Sequence, residues 1–179
     1  SNVKDMWGLF FVANEFNQDI SNWDVSNVEI MVNIFTKASK FNFNIGNWDV
    51  SNVKDFRYAF SELENVNLEL TNWDVSSGTT FEYMFYSSEF TGDISNWTFG
   101  DDVTVNRMFQ GTTFDGNLSN WTFGTTGLDY MFHRHLINSY QHKAGIRFRQ
   151  IFENSAIGGM KGRDYSRFID AQSKDKVSY

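Results

Sequence analysis

At 179 residues, with 41% hydrophobic and 18% aromatic side chains, the chain can bury one ordinary core and is not disordered by composition. The absence of cysteine excludes disulfides and thiolate metal sites, and the absence of proline suits uninterrupted paired strands. The formal net charge of −7 is unevenly placed, with 6 Lys+Arg against 18 Asp+Glu in residues 1–132 and 9 against 4 in residues 133–179, so an acidic body argues against nucleic-acid binding by the first part.

From the start of the chain one phrase recurs. Trp23, Trp48, Trp73, Trp97 and Trp121 stand 25, 25, 24 and 24 residues apart, each inside a version of Ile-Ser-Asn-Trp-Asp-Val. A fixed period of this length is the mark of a solenoid, in which neighbours bury what one unit cannot bury alone. Within a unit, Ile20-x-x-Trp23-x-Val25 has the two-residue alternation of a strand. Val28, Met31 and Phe35 follow at the spacing of one helical face, with Ser26 or Asn27 placed to cap a short helix. Phe41 then returns the chain to the core before Ile45 opens the next phrase.

Equivalent positions form columns. Trp23, Trp48, Trp73, Trp97 and Trp121 make one, expected as core filling because Val25 shares their face. Phe10, Phe35, Phe60, Phe85, Phe109 and Phe132 make another, and Ile20, Ile45, Leu70, Ile94 and Leu118 a third. The expected architecture is a repeat solenoid with one short parallel β-strand and a short helix or 3-10 turn per coil. Five coils are clear. The solenoid is expected over 1–132, a degenerate capping coil over 133–158, and a polar, basic tail over 159–179. The chain opens inside the phrase, at Ser1-Asn2-Val3, and so reads as a processed or partial piece.

The segments Phe16-Asn17-Gln18-Asp19-Ile20-Ser21-Asn22-Trp23-Asp24-Val25-Ser26-Asn27-Val28 and Phe41-Asn42-Phe43-Asn44-Ile45-Gly46-Asn47-Trp48-Asp49-Val50-Ser51-Asn52-Val53 carry a family resemblance. The spacing is similar to the Leu-x-x-Leu-x-Leu motif of leucine-rich repeats, and the fuller phrase resembles the BspA-type leucine-rich-repeat surface proteins. The resemblance covers about two thirds of the chain. It implies a cell-surface or extracellular location and a role in adhesion or protein–protein interaction. Two departures stand out: Thr98 and Thr122 replace the Asp of the phrase, and nothing after residue 133 matches.

If Trp23 and Val25 face inward, their neighbours face outward. The outward rows are Asn22, Asn47, Asn72, Asn96 and Asn120, beside Asp24, Asp49, Asp74, Thr98 and Thr122. They are the candidate binding surface. Three stacked carboxylates repel one another, so solvent, flanking amides or a cation must offset them. Ca²⁺ is one candidate, but no Asp-x-Asp-x-Asp-Gly loop supports it, and a solvated face that satisfies turn backbone is the preferred reading. No cofactor or metal site is assigned. His133, His135 and His142 cluster without other ligands and are read as a cap. Arg134, Lys143, Arg147 and Arg149 make that segment basic, placed to dock on an acidic partner or to remain solvated. The sequons at Asn96, Asn117 and Asn120 arise from the phrase itself.

No motif for a nucleophile, a phosphate loop or a zinc protease occurs, and the acidic pairs recur with the coil where a catalytic pair would be singular. The expected function is therefore non-catalytic recognition of a protein or glycan on a host or neighbouring surface. The alternative is a structural subunit of an assembly such as a virion, tail fibre or surface filament, with a β-solenoid carbohydrate enzyme more remote. No membrane span is present in the sequence.

Overall fold

The computed structural model describes residues 2–64 and 68–122, apart from 113, 115 and 119. Within it each 24- or 25-residue unit pairs with the next in parallel. Asp5, Ile30, Asp55, Thr80 and Thr104 form a chain of four parallel bridges. Around each bridge runs a ladder of backbone bonds. Met6, Gly8, Phe10 and Val12 donate their N–H groups to the carbonyls of Ile30, Val32, Ile34 and Thr36, at 2.8 to 2.9 Å. Met31, Asn33, Phe35 and Lys37 do the same to Asp55, Arg57, Ala59 and Ser61.

The alternate N–H groups turn back on their own unit. Ile34, Thr36 and Ala38 donate to the carbonyls of Met31, Asn33 and Phe35, closing a run of four-residue turns. Every fourth residue of this run takes positive φ: Asn33 and Lys37, Tyr58 and Glu62, Tyr83 and Ser87, and Arg107 and Gly111. A left-handed residue every fourth position cannot continue a right-handed helix. The predicted helix or 3-10 turn at Val28, Met31 and Phe35 is thus a tandem series of turns, and no helix occurs among the described residues. Met31 and Phe35 share a face because the turns repeat every four residues, a spacing that imitates a helical one. The predicted strand at Trp23–Val25 is also corrected: that segment forms no bridge, and the pairing lies in the turn run.

Two further turns shape each unit. Trp48 N–H donates to the Ile45 carbonyl and Val53 N–H to the Val50 carbonyl. Side chains support these corners: the Asn44 carboxamide accepts from Gly46 N–H at 2.7 Å, and Asp49 accepts from Ser51 N–H at 3.1 Å. Such Asx turns satisfy backbone donors that no ladder reaches.

Side chains of equivalent positions meet across the ladder. The Phe column runs Phe10–Phe35–Phe60–Phe85–Phe109 with centroids 5.3 to 5.9 Å apart and rings within 15° of parallel. Within a unit, Phe35 stacks on Phe41 at 4.1 Å and Phe85 on Phe90 at 4.3 Å. Ile20, Ile45, Leu70, Ile94 and Leu118 are all buried beside them. Apolar burial of this density is the main stabilising contribution, and offset ring pairs add about 0.5–1.5 kcal/mol each beyond area. The sixth-coil residues Phe132 and 128, the capping coil and the tail lie outside the described residues.

Candidate interaction surface

The tryptophan column anchors the surface from beneath. Trp48, Trp73, Trp97 and Trp121 are buried, and each indole Nε1 donates to the carbonyl of the Ile or Leu that opens the preceding phrase: Ile20, Ile45, Leu70 and Ile94, at 2.9 to 3.1 Å. Each ring therefore fills the core and also ties one unit to its predecessor, a role the sequence reading missed. Trp23 departs from the expected burial and is 44% exposed. Its indole N–H donates to no carbonyl among the described residues, and its ring meets Phe10 at 5.8 Å.

With four of the indoles held inside, their neighbours face solvent. All ten residues of the predicted rows are exposed: Asn22, Asn47, Asn72, Asn96 and Asn120, and Asp24, Asp49, Asp74, Thr98 and Thr122. The two rows differ in chemistry. Each aspartate is turned toward its own chain. Asp24, Asp49 and Asp74 accept from the N–H of Ser26, Ser51 and Ser76 at 3.1 Å and from their hydroxyls at 2.6 to 2.7 Å. The Ser76 hydroxyl, then its N–H, hold the Asp74 carboxyl below its ordinary range. These paired donors relieve the expected crowding of carboxylates. Among the described residues no three His, Asp or Glu side chains are grouped to hold a metal ion.

The asparagines of the other row have no such task. None of the five takes positive φ, and none forms a side-chain hydrogen bond among the described residues. Nothing in the local backbone calls for an amide there, yet the amide recurs at the same position of five units.

A second column, half-buried, escaped the sequence reading. Tyr58 and Tyr83 stack at 4.7 Å, Tyr86 meets Tyr83 edge-on at 5.7 Å, and the Arg107 guanidinium lies 5.7 Å over the Tyr83 ring. Tyr58, Tyr83 and Arg107 occupy left-handed positions where Gly8 and Asn33 stand in the earlier units. Burial, then the neighbouring Tyr83, raise the Tyr58 phenol above its ordinary value. Gly8 and Asn33 in that column were the available signal for turns.

The family model described as "Mycoplasma protein of unknown function, DUF285" matches residues 1–97 and again 44–144. The chain belongs to the DUF285 family. The two overlapping matches together reach past the last described unit of this DUF285 chain. No curated protein and no solved structure matches it. Among the described residues no helix is long and apolar enough to cross a membrane. Arg134, Lys143, Arg147, Arg149 and the three histidines lie outside the described residues.

Proposed function

We propose that this DUF285 chain is a leucine-rich-repeat-like solenoid module of BspA type, displayed on a cell surface or outside the cell, that binds a protein or glycan without catalysis. The observation that carries this reading is the row Asn22, Asn47, Asn72, Asn96 and Asn120: exposed amides with no side-chain hydrogen bond among the described residues, repeated at one position of five units. An amide offers a donor and an acceptor side by side, which suits vicinal sugar hydroxyls or a peptide backbone. The flanking carboxylates add negative charge, favouring ligands that bring donors or cationic groups.

The test is a screen of glycans and surface-protein extracts against the full chain, followed by Asn47→Ala with Asn72→Ala. The double variant is expected to keep its unfolding midpoint and to weaken binding at least tenfold, about 1.4 kcal/mol. Unchanged affinity for the ligand found would remove the row from the binding surface.

A further inference from the structure

The left-handed column of the turn run holds Gly8, Asn33, Tyr58, Tyr83 and Arg107, with φ between 56° and 60°. That conformation suits glycine and asparagine, and it strains a residue as bulky as tyrosine. Burial offsets little of the strain, because Tyr58 and Tyr83 are only half-buried. Internal hydrogen bonding offsets none of it: the hydroxyls of Tyr58, Tyr83 and Tyr86 have no partner among the described residues. Strain kept where the fold does not require it points to function.

The stack leaves ring faces open. Tyr58 and Tyr83 lie nearly parallel at 4.7 Å, and the Arg107 guanidinium covers Tyr83 from 5.7 Å. The face of Tyr58 turned away from Tyr83 meets no other ring and no cation among the described residues. Asn33, one unit before Tyr58 in the column, is engaged by the Thr36 hydroxyl at 3.1 Å. Tyr86 meets no ring but Tyr83 there, at 72°.

The charge around these rings is balanced. Asp55 and Glu82 stand against Arg57 and Arg107, in a part of the chain that otherwise carries a large excess of Asp and Glu. Asp55 holds Arg57 through contacts of 2.7 and 3.0 Å, and the Gln110 carbonyl accepts from Arg107 at 3.3 Å. The Glu82 carboxylate accepts from the Asn106 amide at 3.2 Å, and its second oxygen has no partner among the described residues. A charged ligand gains little from such balance. A ligand with C–H faces and hydroxyls gains twice. Its C–H groups pack on the negative face of an aromatic ring, and its hydroxyls pair with phenols and a carboxylate. Three rings on two adjacent units also fall far short of the roughly 800 Å² per partner of a standard protein interface, but match one or two sugar rings.

We infer that Tyr58, Tyr83 and Tyr86 form a platform for the pyranose rings of a neutral glycan, with the open face of Tyr58 as the stacking surface and Glu82 as a hydroxyl acceptor. The platform shares no residue with the asparagine row, so either surface can bind without the other.

The test titrates the full chain, deuterated except at its tyrosines, with cellohexaose, maltohexaose and hexa-N-acetylchitohexaose. Saturating the tyrosine ring protons is expected to transfer magnetisation to the C–H protons of at least one hexasaccharide. Tyr58→Asn places at this position the residue already present at Asn33, and Tyr86→Ser the residue already present one unit earlier at Ser61. Both variants are expected to keep the unfolding midpoint and to weaken that binding about tenfold, through loss of a stacked face. No transfer to any of the three sugars, or unchanged affinity in both variants, overturns the inference. So does a protein captured through Tyr58 while the sugars leave the rings untouched, which would assign the platform to a protein partner.

Discussion

Trp73 shows what one side chain does in this repeat. Its indole N–H reaches the Ile45 carbonyl at 3.0 Å in a buried setting, and its rings lie against Phe56 and Phe60. Trp73→Phe removes ring volume and orphans a buried acceptor, so a loss of about 2–3 kcal/mol is expected from urea unfolding. Trp23→Phe at the exposed end is expected to change stability by less than about 0.5 kcal/mol. Equal costs at the two positions would refute the tie between units. The aspartates make a separate prediction in pH. Ser76 holds Asp74 low, chiefly through its hydroxyl, and Ser95 holds Asp93 low, chiefly through its N–H. A carboxyl with a lowered folded value contributes stability that is present above the unfolded value of 3.8 and is lost as pH falls through the folded one. The midpoint is therefore expected to drop as pH falls below the unfolded value of 3.8, and Asp74→Asn to flatten that slope.

The turn run is the element on which the rest depends. It divides its N–H groups between the next unit and its own turns, so no ladder strand of ordinary length is needed. Left-handed positions are the consequence, and glycine meets that demand at Gly111, where φ is +72°. A different constraint acts at Gly46, where an added Cβ would collide with the Glu69 carbonyl of the following unit. Gly46→Ala is expected to cost about 1–3 kcal/mol through this overpacking, seen as a lower thermal midpoint. Much of the element was hidden in the sequence. Val28, Met31 and Phe35 carry spacings that a helix and a tandem turn share. What separates them is the sign of φ at Asn33 and Lys37, and lysine gives no local signal for that. Charge adds register: Glu29 lies between Lys4 at 2.7 Å and Lys54 at 3.4 Å on the neighbouring units. Such exposed pairs contribute little stability but disfavour slipped pairings.

At the scale of the whole molecule, the same contacts recur from unit to unit among the described residues. Removing one complete unit, Ser51–Val75, leaves Val50 joined to Ser76 and brings Trp97 opposite the Ile45 carbonyl. The shortened chain is expected to unfold in one transition with a midpoint lower by about 5–10 °C. Removing only residues 51–63 breaks the phase of every column, and loss of the folded signal in circular dichroism is expected. If both deletions behave alike, nearest-neighbour pairing does not govern the fold.

By itself the sequence determined the period, the inward columns of Phe and Ile or Leu, and the outward rows of Asn and Asp, because a repeated phrase must place like residues in like surroundings. It left open the backbone form between the rows, since helix and tandem turn present the same apolar face. Only the tertiary structure decided that the parallel pairing runs through Asp5, Ile30, Asp55, Thr80 and Thr104. It alone decided that Trp48, Trp73, Trp97 and Trp121 each reach back to the unit before them. Those features are made by hydrogen bonds between residues some 25 positions apart, and no local pattern of side chains encodes where a backbone group will find its partner.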